Sequence, residues 1–129
     1  MLTYFEMASN RTGKDSKMEI THRVENNILT FAIAGRLDAA TAPIAEETIK
    51  KTLAENTKRL LFDLSALQYL SSGGLRVILG AAKEMRRREG KVALAGLNQY
   101  VYEIFDVSGF ASMIPIKDTV EEGLKDLAI

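Results

Sequence analysis

The feature that most restricts how this chain can fold is a recurrence of short apolar runs separated by stretches with helical spacing. Arg59-Leu60-Leu61-Phe62-Asp63-Leu64 and Lys91-Val92-Ala93-Leu94-Ala95 lack polar alternation, as expected of strands buried on both faces of a sheet. Between them Leu75, Ile78, Leu79, Ala82 and Met85 recur at intervals that build one apolar helical face. A buried strand, a helix and a second buried strand in succession form a crossover unit, and such units make parallel sheets covered by helices.

The flanking segments extend this pattern. Ile20, His22 and Val24 alternate with polar residues, Glu25-Asn26-Asn27 marks a tight turn, and Ile28 to Ala34 is apolar, so an antiparallel hairpin precedes the first crossover. Gly35 ends its second strand. Thr41 as N-cap and Pro43 at the second helical position start a helix expected to reach about Glu55, with Ile44, Thr48, Ile49 and Leu53 as its stripe. Ser65 to Leu70 is expected to be a loop, and the next helix closes at Arg86-Arg87-Arg88 with Gly90 as its stop. Gln99 to Val107 forms a third helix, Ala111 to Ile116 a fifth strand, and Asp118 caps a last helix through Leu127. The expected order β-β-α-β-α-β-α-β-α describes a single α/β domain over residues 18–129, with a mostly parallel mixed sheet, an N-terminal β-hairpin and four helices. Residues 1–17, polar and aperiodic from Ser9 to Lys17, read as a flexible N-terminal extension.

Composition removes several function classes. The 129 residues, 47% apolar and 26% charged, suffice for an ordinary hydrophobic core. Seventeen basic residues balance seventeen acidic ones, so no general attraction to nucleic acid or an anionic membrane is expected. There is no cysteine and one histidine, His22, which excludes thiolate sites and histidine clusters. No apolar run approaches the roughly 20 residues of a membrane span, and the N-terminus lacks the basic-then-apolar order of a leader. A cytoplasmic protein without cofactor or metal is expected. Nucleotide-cradling glycine motifs are absent, and Ser72 does not lie in G-x-S-x-G. Asp63 lacks the acidic neighbours that would hold Mg²⁺ and reads as a strand-end anchor. Lys83 with Arg86-Arg87-Arg88 complements the negative end of its helix.

The most informative segment is Leu70-Ser71-Ser72-Gly73-Gly74-Leu75-Arg76, where hydroxyls and glycines stand at the change from loop to helix. A helix N-terminus presents unpaired N–H groups and a positive dipole end, so a phosphate is stabilised there whether it arrives on a ligand or is attached to a serine. The same residues also suit plain N-capping by Ser71 or Ser72, with Gly73 and Gly74 permitting a tight approach. Local chemistry leaves both open.

Two stretches carry a resemblance. Gly35-Arg36-Leu37-Asp38-Ala39-Ala40-Thr41-Ala42-Pro43 is similar to a G-x-L-D-x-x-T-A segment. Phe62-Asp63-Leu64-Ser65, followed by Tyr69-Leu70-Ser71-Ser72-Gly73-Gly74-Leu75, is similar to D-x-S…[DS]-S-x-G-L. Both are signatures of the STAS domain family, shared by bacterial anti-sigma factor antagonists and the cytoplasmic tails of sulfate transporters. The resemblance covers about Met18 to Leu127. It implies that the phosphorylated serine of the antagonists falls at Ser72, with Ser71 where many members carry aspartate and Gly73 in place of the usual serine or alanine. It further implies a partner-binding surface made of Asp38, Thr41, Ser71, Ser72, Gly73, Gly74 and Arg76. The implied partner is an anti-sigma factor that is itself a serine kinase, released when it phosphorylates Ser72, with a phosphatase to reset the serine. No catalysis, direct nucleic-acid binding or membrane insertion is implied. Two other functions fit the same residues: an accessory subunit of a membrane transporter for lipids or anions, and a small nucleotide-binding protein using the Ser-Ser-Gly-Gly helix start.

Overall fold

The apolar runs lie side by side at the centre of one sheet. The computed structural model describes residues 17–129 and the backbone of Asn10–Arg11; the remainder of the expected N-terminal extension lies outside the described residues. Among these, the strands are β1 (Asn10–Arg11), β2 (Met18–Glu25), β3 (Ile28–Leu37), β4 (Arg59–Asp63), β5 (Leu67–Leu70), β6 (Lys91–Ala95) and β7 (Ile116–Lys117). The helices are α1 (Ala42–Thr52), α2 (Ser72–Arg87), α3 (Gln99–Val107) and α4 (Val120–Ala128), with a 3₁₀ turn at Phe110–Ser112. The sheet order is β1-β2-β3-β4-β6-β7, and β5 pairs with β3. β2 runs antiparallel to β3, joined by Asn26 and Asn27, both left-handed (φ 53° and 64°), as a two-residue hairpin turn demands. β3, β4, β6 and β7 are parallel. The α/β fold with its N-terminal hairpin and four helices is therefore the expected one.

Successive side chains of β4 point to opposite faces, which explains its unbroken apolar run. Leu60 and Phe62 join Phe31, Ile33, Ile78, Met85 and Phe105 in the larger core, while Leu61 meets Ile28, Ala93 and Leu127 under α4. Gly123 lets α4 settle there, since a Cβ would stand 2.8 Å from Leu61 Cδ1.

Several local expectations are corrected. The loop expected over Ser65 to Leu70 contains β5, whose pairing is non-local: the first half of β3 pairs with β4 and its last residues with β5. The register shifts at Gly35 (φ 89°), where a Cβ would lie 2.2 Å from the Lys17 carbonyl oxygen. α1 stops at Thr52 because Leu53 is extended. The left-handed residue after α2 is Glu89 (φ 58°), not Gly90. Gly90 is needed for space instead, a Cβ there falling 2.7 Å from the Lys58 carbonyl oxygen. The fifth strand shrinks to Ile116–Lys117 after the 3₁₀ turn, and Thr119 rather than Asp118 caps α4, its Oγ1 accepting from the Glu122 N–H at 3.1 Å.

The buried side of α2 is Gly74, Ile78, Ala81 and Met85, so the expected face is rotated and Leu75, Leu79 and Ala82 form its half-buried flank. Ile78→Ala should accordingly cost about 2–4 kcal/mol and Leu79→Ala only about 1 kcal/mol. Urea denaturation of the two variants checks the rotation, which an equal or reversed loss would disprove.

Candidate functional site

β3 and β5 are parallel neighbours ending at Leu37 and Leu70, which pair with each other. The loops that follow them, Asp38–Thr41 and Ser71, therefore emerge side by side from one end of the sheet. The Ser71 N–H donates to the Leu37 carbonyl at 3.0 Å. Both sequence signatures are thus brought together by a single strand pairing.

In the first loop Asp38 holds the turn. Its Oδ1 accepts the Ala40 and Thr41 N–H groups at 3.0 and 3.1 Å, and its Oδ2 stands 3.8 Å from Arg36 Nε. The Thr41 N–H is the leading reason that the Asp38 carboxyl is held below its ordinary range, with Arg36 adding to it. Thr41 is almost wholly buried, and its hydroxyl accepts the Asp38 N–H and donates to the Arg36 carbonyl, each at 2.9 Å. Although Thr41 occupies the N-cap position as expected, its side chain braces the loop and not the first turn of α1.

The second loop separates the two serines. Ser71 is extended, and its Oγ accepts the Gly74 N–H at 3.2 Å, so it is the cap of α2. Ser72 is the first helical residue, exposed, and its hydroxyl makes no hydrogen bond among the described residues. The glycines differ as well. Gly74 is buried against Leu37 and Leu70, whereas a Cβ on Gly73 would approach nothing closer than 3.7 Å. Arg76 is exposed, one helical turn beyond Ser72 and on the same side.

Four residues beside these loops, Arg36, Tyr69, Asn98 and Tyr100, were not anticipated as part of the site. The Arg36 guanidinium lies 4.1 Å from the Tyr69 ring centroid, and Tyr69 stacks on Tyr100 at 6.2 Å and 20°. Tyr100 stands in the first turn of α3 and is 45% exposed. Asn98 fixes this start of α3, its Oδ1 accepting the Val101 N–H at 2.8 Å and its Nδ2 donating to the Leu67 carbonyl at 3.1 Å. Only the position of Tyr69, three residues before Ser72, was a usable sequence signal.

The remaining candidates have structural partners. Asp63 accepts from the Ser65 hydroxyl and N–H at 2.6 and 3.0 Å and so anchors the end of β4. In the arginine run, Arg87 and Arg88 both grip Glu84, lowering its carboxyl to about 2, and Arg88 also donates to the Ala54 carbonyl beyond α1 at 2.6 Å. Among the described residues no cluster of side chains is arranged to hold a metal ion, and no helix is long and apolar enough to cross a membrane.

The STAS domain profile matches residues 19–123. The anti-sigma-B factor antagonist of Listeria monocytogenes is 33% identical over 105 residues, covering 81% of this chain and 91% of that protein. The anti-sigma-B factor antagonist of Bacillus subtilis is 30% identical over 99 residues, covering 77% and 90%. Among solved structures, an anti-sigma factor antagonist from Mycobacterium paratuberculosis superposes with a TM-score of 0.80 at 20% identity over 87% of this chain and 95% of that one. The antagonist SpoIIAA in its unphosphorylated form superposes at 0.72 with 17% identity, over 83% and 94%.

Proposed function

The chain belongs to the STAS domain family, and we propose that it is an anti-sigma factor antagonist whose partner binding is switched by phosphorylation of Ser72. The observation that carries this reading is the division of labour between the serines: Ser71 caps α2, leaving the Ser72 hydroxyl exposed and unbonded at the end of the helix. A kinase can reach that oxygen without breaking the fold.

The unmodified surface of Asp38, Ser71, Ser72, Gly73 and Arg76, extended by Tyr100 and held in shape from beneath by the buried Thr41 and Gly74, binds an anti-sigma factor that is also a serine kinase. Transfer of the γ-phosphoryl group of ATP to Ser72 Oγ adds about −1.5 to −2 charges. The helix dipole and Arg76 stabilise that charge within the domain. Across the interface it faces a surface that matched a neutral hydroxyl, and the complex separates. A phosphatase resets the serine. The domain is ligand and substrate in this cycle, contributes no catalysis of its own, and works in the cytoplasm with its partners. Mixing the chain with the cognate anti-sigma kinase should give a complex without ATP, its loss with ATP, and a phosphate on Ser72 by mass spectrometry. A complex that persists with Ser72 phosphorylated refutes the switch.

Two residues separate folding from recognition. Asp38→Asn retains an oxygen for the Ala40 and Thr41 N–H groups but loses the charge beside Arg36, so the melting temperature should hold while partner affinity falls roughly tenfold. Asp38→Ala removes the acceptor too and should cost about 1 kcal/mol. Because the folded carboxyl titrates below its ordinary value of 3.8, this stability is fully present above that pH and is lost as pH falls through the lowered folded value. The gap between wild type and Asp38→Ala should therefore close in acid, and a gap independent of pH would show that the carboxylate is not its source.

Tyr100→Ala removes an exposed ring from the edge of the site, a residue type enriched where interface energy concentrates. Affinity for the anti-sigma partner is expected to drop about tenfold at unchanged thermal stability. Unchanged affinity in calorimetry would place Tyr100 outside the interface.

A further inference from the structure

At the other end of the sheet from Ser72 a groove opens around the start of β6, between the C-terminal half of α2, the Phe110–Pro115 segment and the end of α4. Its volume is about 840 Å³, within the size range of small-molecule sites. The lining side chains Leu79, Ala82, Val92, Phe110, Ile114 and Leu127 are apolar. Met113, on the rim, is 52% exposed. An apolar concavity open to water is a site for a hydrophobic ligand.

The charges at its edge narrow the ligand. Four cations punctuate the last part of α2, and they divide. Arg87 and Arg88 are tied to Glu84, whereas Lys83 and Arg86, on the lip of the groove, take part in no ion pair among the described residues. Asp126, also on the rim, pairs with Lys117 at 3.7 Å, and Lys91 donates to the Ile129 carbonyl at 2.8 Å. The opposite lip, formed by Phe110, Met113 and Pro115, is uncharged. Glu89 follows Lys83 and Arg86 on the same lip, so the two cations leave a net single positive charge there, and with the apolar floor this fits a molecule with one anionic end and a hydrocarbon body. Two free cations fall short of the cluster of about four to eight that draws a protein to an anionic membrane surface.

We propose that this groove binds a free long-chain fatty acid, its hydrocarbon chain along Val92, Phe110 and Ile114 and its carboxylate between Lys83 and Arg86. The groove opens toward the opposite end of α2 from Ser72, although Leu79 and Lys83 also border the shallow depression that reaches Ser72 and Arg76. Lys and Arg stems contribute methylene surface to the wall while their heads meet the carboxylate at the water boundary.

The test titrates the full chain with dansyl-undecanoic acid and follows fluorescence. Saturable binding at one site per chain is expected, with displacement by palmitoleate and not by its methyl ester. The double variant Lys83→Glu with Arg86→Glu should weaken binding at least about tenfold, and Ala82→Trp, which fills the groove, should abolish it. Should Ala82→Trp not fold, Met113→Asp, on the exposed rim, replaces it with the same expected loss. Melting curves and anti-sigma binding report the fold of each variant, so a failure here is separable from a failure of the Ser72 switch. The proposal is overturned by an absence of saturable binding, by equal displacement with the methyl ester, or by affinity indifferent to both the charge reversal and the groove substitutions. Tighter binding to phosphatidylglycerol vesicles than to the monomeric acid would overturn it too, marking the groove as a membrane contact.

Discussion

Ser72→Glu is expected to bind the anti-sigma partner at least about a hundredfold more weakly than wild type, close to 3 kcal/mol, while melting within a few degrees of it. Ser72→Ala should bind as well as wild type, or more persistently in the presence of ATP, and accept no phosphate at that position. The two substitutions diverge because their effects at the helix and at the interface have different signs. A carboxylate at the first helical position interacts favourably with the dipole, so the folded domain accepts it. Against a partner surface shaped for a hydroxyl, the same charge is desolvated without a counterion. Since Ser71 supplies the cap, Ser72→Ala should leave stability nearly unchanged and Ser71→Ala should cost about 1 kcal/mol. The other nearby hydroxyls are engaged: Ser65 Oγ donates to Asp63 at 2.6 Å and Ser71 Oγ accepts from Gly74. Phosphate appearing on either in place of Ser72 would shift the site, and equal affinities of the Ala and Glu variants would dispose of the electrostatic switch.

The parts of this fold that could be foreseen are those with a local cause. Leu60, Leu61 and Phe62 are all apolar because β4 is covered on both faces, and Asn26-Asn27 tolerates the left-handed backbone of a tight hairpin. β5 escaped, and β7 was expected too early and too long at Ala111 to Ile116, because both are short and held mainly by pairing to strands distant in sequence: Tyr69 meets Arg36, and Lys117 meets Ala95. The rotation of α2 has a similar origin. Ala81 and Gly74 are small enough to be read as neutral, yet they face the core because β3 and α1 approach closely there. At the site, the motif located Ser72 but could not say which serine caps the helix, since either has the right chemistry and only the extended backbone of Ser71 decides. The Arg36, Tyr69 and Tyr100 cluster joins residues from three elements, and only the tertiary fold assembles it.

The two glycines after Ser72, alike in sequence, should behave in opposite ways. A Cβ on Gly74 would meet the Leu37 carbonyl oxygen at 2.5 Å, Leu37 Cγ at 2.8 Å and Leu70 Cδ1 at 2.9 Å. The first of these is backbone, held in place because it accepts the Ser71 N–H, so it cannot swing aside. Gly74→Ala must push the start of α2 away from the end of β3, at an expected cost of about 2–3 kcal/mol. Gly73 has room for a methyl group and an ordinary helical backbone, and Gly73→Ala should be neutral or stabilising by up to about 1 kcal/mol. The functional consequence follows from the same contact. The gap between Leu37 and Gly74 sets the position of Ser72 relative to the Asp38 loop, so widening it separates the two halves of the partner surface. Gly74→Ala, assayed at low temperature where it remains folded, should bind the anti-sigma kinase poorly and be a slow phosphoacceptor, whereas Gly73→Ala should be phosphorylated at the wild-type rate. Urea denaturation and a phosphorylation time course on both variants check this, and equal stability or equal rates would show that the close approach of α2 to β3 does not position the switch.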